Sequence, residues 1–476
     1  MVTRRFLYKI GAAVLLFGCG IHASAQALQS GYFMEGYTYR HLMNPAFEAE
    51  RNYVSIPALG NVYAGTKGNV ALGNFIYKYN GDQLTTFMSN TVSAEEFLGD
   101  LRDNNRINAN VNLTLLSVGF KKWGGFNTIG LSVRSNTSAS LPYDLLKFMK
   151  VGMQREREVY DMGNLGVNSQ NYVELALGHS RAINEHLRVG GKLKFLIGAA
   201  YASLKMNDMR VEMSGDKWMV HADGEMNASV KGLIMPTKAE MGRKLTDPSQ
   251  GTLLDWENAD FNSDDIGPSG FGMAVDLGAV YKLNDTWTFS ASLLDFGFMS
   301  WSHTIKAKTL NKPWEFDGFH ELAVDSELGD DDPMSLKSQA DDLGKDLENF
   351  ASFHREENDG SALNMLGATL ILGAEYTLPA YNKFKVGLLS TSRLQGRYSW
   401  WEARLSANVS PVKWFDAGVN GSVSTIGSSF GWIVNFHPKG FNLFVGMDQI
   451  IGEVNPQCIP VDNMNMSVSV GMNVTF

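Results

Sequence analysis

The stretch that decides the fold class is MNMSVSVGMNVTF, Met464–Phe476. Apolar and polar residues alternate strictly along it. The apolar positions are Met464, Met466, Val468, Val470, Met472, Val474 and Phe476. A period of two is the repeat of a β-strand, whose successive side chains point to opposite faces, whereas a helix repeats every 3.6 residues. The segment therefore predicts a strand with one face suited to lipid and the other to water.

The terminal strand also carries a targeting interpretation. An alternating strand that stops on an aromatic residue resembles the signal by which outer-membrane barrels are handed to their insertion machinery. We therefore expect Val470, Met472, Val474 and Phe476 to form a barrel-assembly signal, with the assembly machinery as a partner. A soluble β-sandwich could also end on such a strand.

Similar alternation recurs along the chain. The segments are Leu187–Tyr201, Phe271–Lys282, Asn364–Tyr376 and, less regularly, Arg397–Ser410. Lys192 and Lys194 lie opposite the apolar face of the first segment, and Asp276 lies opposite that of the second. Charges in these places suit a wet barrel interior, and they would be costly in the core of a sandwich or against lipid.

The apolar faces of these segments are assigned residue by residue from the period of two. Leu366 falls on the same face as Leu370 and Leu372, and Tyr201 falls on the same face as Phe195. Aromatic residues close several segments, which is typical of interfacial girdles. They are Tyr201, Tyr281, Tyr376 and Phe476.

The amino-terminal region has the layout of a signal peptide. Basic residues at Arg4, Arg5 and Lys9 precede the apolar run 10–21. Ala23-Ser24-Ala25 then supplies small residues at the cleavage positions, so we expect cleavage between Ala25 and Gln26. Two alternatives are a buried helix and a lipoprotein signal with Cys19 as the lipidated residue. The layout places the protein in the cell envelope, with the outer membrane as the expected location.

Composition narrows the class. The chain has 476 residues, 48 Gly, 27 Phe, 16 Tyr and 10 Trp, and its mean hydropathy is −0.15. Beyond the signal there is no run of about 18 apolar residues that could form a membrane helix. A large soluble all-β protein and a transmembrane barrel both fit, since alternation hides a barrel from hydropathy. The net charge of −9 argues against nucleic-acid binding. Cys458 is alone after cleavage, so no internal disulfide is expected.

The connections alternate in length, as in outer-membrane barrels, which have short periplasmic turns and long outer loops. Short turns are predicted at 184–185, 284–285, 379–382, 411 and 438–439, and long connections at 75–106, 141–168, 233–268 and 307–361. We predict an all-β fold: a transmembrane antiparallel barrel of about 14 strands, with an amino-terminal luminal plug and long extracellular loops. Its parts are a signal peptide at 1–25, a periplasmic or plug segment at 26–51, and the barrel at 52–476 with an acidic loop at 309–361.

Two loop segments carry local predictions. The stretch Glu315–Asp359 holds fifteen acidic residues against three basic ones. Asp330-Asp331-Asp332 offers clustered oxygen ligands for a cation, but it lacks an ordered ligand spacing, so a solvated acidic surface is favoured. The sequence LPYDLLKFMKV, Leu141–Val151, predicts a short amphipathic helix after Pro142, packed in a loop, lying on the membrane or plugging the pore.

No enzyme chemistry is predicted. Gly427–Gly431 (GSSFG) has the spacing of a nucleophile elbow, but strands flank it where that elbow needs a strand followed by a helix. Gly267–Gly272 (GPSGFG) precedes a strand and so does not fit a dinucleotide fingerprint. His179 and His186 lack paired ligand spacing. We therefore predict no catalytic, cofactor-binding or metal-binding residues and no cofactor.

A family resemblance is carried by three stretches. They are residues 31–61 (GYFMEGYTYRHLMNPAFEAERNYVSIPALGN), Leu84–Met88 (LTTFM) and Trp123–Lys150 (WGGFNTIGLSVRSNTSASLPYDLLKFMK). The chain resembles an uncharacterised outer-membrane barrel family of Bacteroidota. Asn44-Pro45-Ala46 is similar to the Asn-Pro-Ala of the amino-terminal hatch in long-chain fatty-acid transporters, which are 14-stranded barrels. That resemblance implies that Asn44, Pro45 and Ala46 lie in a luminal plug.

Two functions follow from a plugged barrel. A passive transporter for a small hydrophobic molecule predicts an apolar pocket near the hatch and an opening. A structural or secretion-associated barrel, with other envelope proteins as partners, predicts a sealed lumen and apolar patches on ordered loops. Both have outer-membrane lipid as a partner. A soluble periplasmic β-protein is a third reading, and the terminal strand argues against it.

Overall fold

A computed structural model describes residues 28–70, 72–79, 83–152, 157–215, 217–242, 251–310, 313–316, 353–357, 360–449 and 465–476. Five of the predictions fall outside these residues. They are the signal peptide with its cleavage site at Ala25 and Gln26, the lipidation alternative at Cys19, the cation site at 330–332, the greater part of the acidic loop, and Cys458.

Strands dominate the described chain. Their bounds are β1 Tyr53–Ser55, β2 Val62–Gly68, β3 Ile76–Tyr79, β4 Gln83–Thr86, β5 Asn104–Lys122, β6 Gly125–Pro142, β7 Arg157–Asp161, β8 Gly166–Ala182, β9 Leu187–Ser214, β10 Trp218–Val230, β11 Leu233–Ile234, β12 Asp260–Phe261, β13 Gly270–Lys282, β14 Trp287–Lys308, β15 Trp314–Phe316, β16 His354–Arg355, β17 Gly360–Met365, β18 Ala368–Thr377, β19 Phe384–Leu394, β20 Trp400–Val412, β21 Phe415–Ser424, β22 Gly427–Phe436, β23 Phe441–Met447 and β24 Met466–Thr475. Two α-helices accompany them, α1 Ala94–Gly99 and α2 Tyr143–Val151.

The large sheet closes into a barrel. The final strand β24 pairs antiparallel with β1, where Val474 faces Val54, and with β2, where Val468 faces Ala64. In the described chain the twenty strands of this sheet fill 14 positions, because five positions are each built from more than one segment: β1 with β2, β7 with β8, β10 with β13, β14 with β15, and β16 with β17 and β18. The predicted all-β fold and strand number are confirmed. Closure leaves no unpaired edge around the wall, which a spanning sheet requires.

The outward faces form an apolar band. Along β13 the exposed residues run from Phe271 at one end to Tyr281 at the other, while Asp276 between them is buried on the inner face. Ten residues at about 3.3 Å each, tilted by about 40°, give a band roughly 25 Å tall. That height matches the apolar band of outer-membrane barrels. In β24 the same alternation exposes Val470, Val474 and Phe476.

A β-bulge reverses the predicted direction of Tyr201. The pairing of β8 with β9 shifts register between Asn171 and Tyr172, and Ala199 is the extra residue on β9. Tyr201 therefore points into the barrel, where its ring stacks on Trp301 with centroids 5.1 Å apart. The prediction that Tyr201 belongs to an interfacial girdle was wrong, because one extra residue moves every following side chain to the other face.

A second break corrects the placement of Leu366. The strand position opposite β14 is interrupted between Met365 and Ala368, where β17 ends and β18 begins. Leu366 packs in an inner cluster with Trp301, whereas Leu370 and Leu372 face outward as predicted. The assignment of Leu366 to the lipid-facing side was therefore wrong, because the break in the strand changes which face the next side chain points to.

The turns at one end of the barrel are short as predicted, with one local correction, but the connections at the other end vary in length: those after β9, β19 and β21 span three, five and two residues. Short turns join β8 to β9, β13 to β14, β18 to β19 and β22 to β23. The turn predicted at Pro411 was misplaced, since β20 continues through Val412 and the two-residue turn is Lys413-Trp414. Pro411 is accommodated at a register shift between Val409 and Val412, a position where its missing N–H breaks no regular ladder.

The connection predicted at 233–268 has a different role. The extracellular tip between β9 and β10 is short, spanning residues 215–217. Of the described chain, residues 231–242 and 251–269 instead connect β10 to β13, which both pair with β9 and share one strand position. This segment, called the excursion below, is an insertion within a barrel strand.

The predicted helix near Pro142 is present as α2. Its Leu146 packs with Phe87, Val92 and Phe97 in a cluster that also includes residues around α1. The Lys150 ammonium donates to the main-chain carbonyls of Phe87, Ser89 and Val92 at 2.6–2.9 Å, which ties the helix to the preceding loop. The helix therefore takes the packed-loop position among the three that the sequence left open. No helix in the described ranges has the length and hydropathy needed to cross a bilayer.

Candidate luminal site

The amino-terminal residues 28–51, called the luminal segment below, lie inside the barrel. Its side chains touch the inner wall on several sides. Phe33 lies against Gly387 of β19, Tyr37 against Phe444 of β23, and His41 against Lys192 of β9. Short 3₁₀ turns at Gln29–Gly31 and Thr38–Leu42 compact the segment.

The Asn-Pro-Ala sequence lies against β9, β13 and β14. The buried side-chain amide of Asn44 donates to the main-chain carbonyls of Ala279 and Ala291, both at 3.2 Å, while its oxygen accepts from the Ala46 N–H at 2.9 Å. Gly278 lies directly beneath Asn44, and a Cβ there would come within 2.1 Å of Asn44 Oδ1.

Gly190 holds the same relation to Pro45, whose carbonyl oxygen would be 2.2 Å from an added Cβ. Both glycines stand within regular strands and have no positive φ. Their lack of a side chain therefore serves the close approach of two backbones.

An aromatic cluster fills the space between the luminal segment and the wall. The segment contributes Tyr32, Phe33, Tyr37, Tyr39 and Phe47, among others. The wall contributes Tyr53, Tyr63, Phe126, Leu294, Ile371, Leu389, Ile433 and Phe444. Many rings meet edge to face, such as Tyr37 with Phe444 at 4.8 Å, a geometry that aromatic pairs favour. The wall thus contributes an apolar patch to its contact with the segment.

The upstream end of the luminal segment is anchored to one carboxylate. Asp448, which follows β23, accepts from the main-chain N–H groups of Gln29 and Ser30 at 2.9 and 2.7 Å. The Ser30 hydroxyl donates to Asp448 at 2.7 Å. Such a pair of N–H donors on a carboxylate gives strong, charge-assisted bonds.

Ionic contacts near the short turns hold the segment at Glu35 and, at its downstream end, at Glu50. Glu35 pairs with Lys385 at 2.6 Å. The His437 ring lies 3.0 Å from Asp416 and 3.5 Å from Glu50. Burial opposes the charged imidazole, but the hydrogen bonds with Asp416 and Glu50 outweigh it and raise the pKa of His437 to about 9. The imidazolium therefore links the segment to the wall at neutral pH.

A buried hydrogen-bond chain crosses from the segment to the wall. The His41 ring lies 2.6 Å from the Tyr53 hydroxyl and 3.0 Å from the Lys192 ammonium, and the Tyr53 hydroxyl reaches Ser117 at 2.9 Å. Burial, reinforced by the nearby Lys192, holds the pKa of His41 well below its usual range. A neutral imidazole can accept from the ammonium and still bond to the phenol.

Charged side chains line the lumen beyond the segment. Lys194 pairs with Asp276 at 2.7 Å and with Asp295 at 2.6 Å. On the other side Arg404 pairs with Glu402 at 2.8 Å. Lys192, Lys194 and Asp276 thus face inward, as the alternation predicted.

Two small cavities flank Gln29. One, of about 40 Å³, is lined by Lys67, Glu402 and Arg404 among others. The other, of about 30 Å³, is lined by Arg134 and Lys194 among others. A water molecule needs about 10–15 Å³ of such volume, so each holds a few waters. Neither is the apolar pocket that the transport interpretation predicted.

The remaining sequence motifs are placed as follows. GSSFG lies in β22, paired along its length with β21. Within the described residues no group of three or more His, Cys, Asp or Glu side chains is arranged to hold a metal ion. Of the assembly residues, Val470, Met472 and Val474 lie on β24, and Phe476 follows it.

With the barrel and its luminal segment described, comparison with known proteins identifies the family. A family of unknown function, DUF5723, matches residues 45–448. The chain belongs to this family. The predicted resemblance to an uncharacterised family is thereby confirmed. The DUF5723 match includes Pro45 of the luminal segment and continues to Asp448, the carboxylate that anchors the segment's other end.

The solved structures that align with the chain include proteins described as channels and transporters. A TodX mutant lacking S2 and S3, described as a monoaromatic hydrocarbon channel, shares 9% identity at a TM-score of 0.42, covering 96% of the DUF5723 chain and 97% of its own. The Ralstonia pickettii toluene transporter TbuX shares 7% identity at 0.39, covering 96% and 95%.

A Pseudomonas aeruginosa FadL homologue shares 11% identity at a TM-score of 0.36, covering 95% and 96%. No curated protein matches the DUF5723 sequence. All three TM-scores lie below 0.5, so the fold stated here rests on the chain's own strand pairing.

Sequence reasoning missed most residues that hold the luminal segment. Asp448, His437 and Lys385 stand in strands and turns hundreds of residues from their partners. The available signal was weak: inward parity for Lys385 within β19, and a cluster of aromatic residues between Tyr32 and Phe47 too dense for a solvated terminus.

Proposed function

We propose that this protein is an outer-membrane barrel in which the luminal segment closes a passage for a small hydrophobic molecule. The single observation that carries the proposal is the apolar patch of the inner wall that the segment covers. Water-filled barrels have polar inner faces. Here Leu294, Ile371, Leu389, Ile433 and Phe444, from five different strands, point inward and contact the segment.

Movement of the segment would change what the lumen offers. If the segment shifts, these wall residues lose their cover and line an apolar chamber, which is the usual character of a site for a hydrophobic ligand. The contacts that hold the segment are concentrated at its ends, at Asp448 and around His437. Between them, Asn44 and the buried His41 chain fix the middle.

The outer-membrane location is supported by the outward surface. The apolar band is about 25 Å tall by the strand geometry given above. Near the short turns, aromatic rings gather on the outer surface, as Trp287 and Tyr376 do with centroids 5.0 Å apart. Such rings are characteristic of the lipid–water boundary. Val470, Met472, Val474 and Phe476 then serve as the assembly signal on the last strand.

A second candidate function is a sealed structural or secretion-associated barrel. The small cavities with charged residues in their linings beside Gln29 favour it, because neither has room for more than a few waters. Ordered apolar clusters in the outer loops, such as that of Phe87 and Phe97, give the loops a defined shape for contact with other envelope proteins.

The two functions are separated by locking the segment to the wall. Thr38 and Asn442 are both buried, have short side chains, and meet at 3.0 Å between Oγ1 and Oδ1. The double variant Thr38→Cys/Asn442→Cys, with Cys458→Ser to remove the native thiol, places a disulfide between segment and β23. Disulfides need Cα atoms about 4.4–6.8 Å apart, so formation of the bond is verified by the loss of free thiol on oxidation before uptake is measured.

The readout is uptake of N-phenylnaphthylamine across the outer membrane of cells that express each form. For a transporter, the reduced double variant should exceed cells without the protein, and oxidation should return uptake to background. The Thr38→Cys single variant is the matched control and should not respond to oxidation. Background uptake in every form, with correctly assembled barrel, would instead support the sealed barrel.

A further inference from the structure

The described residues of the excursion, 231–242 and 251–269, lie over the outer face of the wall. Above the apolar band, the outward residues of β10 and β14 remain apolar, and the excursion covers them. The cluster joins Met226, Ile305 and Ala307 of the wall to Met235 and Leu254 of the excursion. Lipid is therefore replaced by protein at this height on one side of the barrel.

The base of the excursion is closed tightly. Ser269 bonds to the two neighbouring strands as a strand residue would. Its N–H donates to the Gly198 carbonyl at 2.7 Å, and its carbonyl accepts from the Ser302 N–H at 2.7 Å. The Ser269 hydroxyl accepts from the Lys231 N–H at 2.8 Å. Both ends of the excursion thus leave the wall at one fixed point, immediately above Gly270.

That point lies at the upper rim of the apolar band. Phe271, the first outward residue after the excursion, is 63% exposed and faces Ile197 across the β9–β13 pair. The excursion itself presents three large apolar side chains to the outside: Ile234 at 51%, Phe261 at 48% and Ile266 at 69% exposure. The side of the excursion that faces the wall is buried in the cluster described above, so these three side chains lie on its exposed side.

The exposed residues lie close to the band. Ile266 precedes Phe271 by five residues, so the two Cα atoms can be at most about 17 Å apart. Ile234 lies four residues after Val230, the last residue of β10, and is therefore also close to the wall. The polar layer of a leaflet is about 5–8 Å thick, taken as half of the difference between the full bilayer and its hydrocarbon core. Charged residues share this height: Lys231 pairs with Asp265 at 3.1 Å. Apolar and charged side chains at one level are typical of a surface in a lipid interface.

We propose that the excursion is a membrane-contact element whose Ile266, Phe261 and Ile234 enter the lipid of the outer leaflet, continuing the apolar band above Phe271. This inference rests on the proposed outer-membrane location, because the band must face lipid for its continuation to do so. Lipid is the occupant that continuity with the band specifies. The excursion would then fix the height and tilt of the barrel in the membrane on the side formed by β10 and β14.

The test measures the surroundings of single labelled cysteines. The variants Ile266→Cys, Asp264→Cys and Phe271→Cys are made in the full chain with Cys458→Ser, labelled with bimane, and reconstituted into phosphatidylcholine nanodiscs. Quenching by nitroxide-bearing lipid is compared with quenching by aqueous iodide. Asp264 is the matched control, being exposed in the same turn and two residues away.

The expected result is strong lipid quenching and weak iodide quenching at positions 266 and 271, with the reverse at 264. If position 271 is quenched by lipid while 266 behaves like 264, the inference about the excursion is overturned and the barrel location stands. If position 271 itself is open to iodide and not to lipid, the proposed membrane location fails first.

Discussion

The side-chain nitrogen of Asn44 lies 3.2 Å from the main-chain carbonyl oxygen of Ala279, inside the barrel. A second carbonyl, from Ala291, lies at the same distance. One amide of the luminal segment therefore satisfies acceptors on two adjacent wall strands. This explains in physical terms why an Asn followed by Pro and Ala suits this place: the Asn amide donates outward, and its oxygen organises the turn through Ala46.

Replacing Asn44 with Leu is expected to loosen the segment. The change removes the two hydrogen bonds that the Asn44 amide donates to wall carbonyls, each worth about 0.5–1.5 kcal/mol. The measurement is the rate at which a protease cleaves the luminal segment in detergent-solubilised protein, which should rise. Asn207→Leu, at an exposed site in β9, is the control. An unchanged cleavage rate for Asn44→Leu would show that these bonds do not hold the segment.

Replacing Gly278 with Val is expected to displace the segment while keeping the barrel. A Cβ at Gly278 would meet Asn44 Oδ1 at 2.1 Å, but the strand itself can accept a branched residue. Uptake of N-phenylnaphthylamine should increase if the segment closes a passage. Gly421→Val on the outer face of β21 is the matched control, since a Cβ there meets nothing within 4 Å. Equal uptake by both variants would count against the closing role.

The contact between His437 and Glu50 is expected to weaken in alkali. The folded pKa of His437 is about 9 and its ordinary value is 6.5. The stabilisation is therefore complete below pH about 6.5 and disappears as pH rises through about 9. Protease cleavage between β1 and the segment should accelerate over this range. His437→Gln should remove this pH response. If the variant keeps the wild-type pH profile, another titrating group is responsible for the response.

Replacing Lys194 with Met is expected to destabilise the barrel. Asp276 and Asp295 would remain buried without their shared cation, and breaking a buried pair costs roughly 3–5 kcal/mol. Unfolding in urea, followed by loss of the heat-modifiable band, should shift to lower concentration. Lys122→Met, at the exposed end of β5, should change stability by less than about 0.5 kcal/mol. Similar midpoints for the two variants would contradict the role of Lys194.

Removing the last strand is expected to prevent assembly. β24 closes the sheet against β23 on one side and against β1 and β2 on the other. Deletion from Met464 leaves two open edges, which lipid cannot satisfy. The full chain should appear in the outer-membrane fraction and migrate differently after boiling, and the deletion should not. A full chain found in the soluble periplasm without a shift would remove both proposed functions.

Sequence alone was informative where the period of two was unbroken. From Phe271 to Tyr281 no residue is added or lost on β13, so the inward position of Asp276 followed directly from parity. Tyr201 and Leu366 were misassigned because each follows an irregularity that a single sequence does not mark. The excursion looked like an ordinary loop, since nothing local distinguishes an insertion within a strand from a link between strands.

The candidate site divides in the same way. Asn44-Pro45-Ala46 was singled out because its turn chemistry is local. The wall glycines that it packs against, Gly190 and Gly278, could not be identified from the sequence. A glycine needed for the close approach of two backbones looks like any other strand glycine. Asp448 and His437 were missed because their partners lie far away in the chain and carry no shared pattern.

Local alternation, length asymmetry of the connections and the terminal strand were enough to predict an antiparallel barrel of about 14 strands, because the side chains of an unbroken strand alternate between its two faces. Tertiary structure decided which residues the lumen brings together. The meeting of Ser30 with Asp448, or of Asn44 with Ala279, depends on the closure of the sheet around the luminal segment. Closure depends on the registers of all the strands together, so it cannot be predicted from any single stretch of sequence.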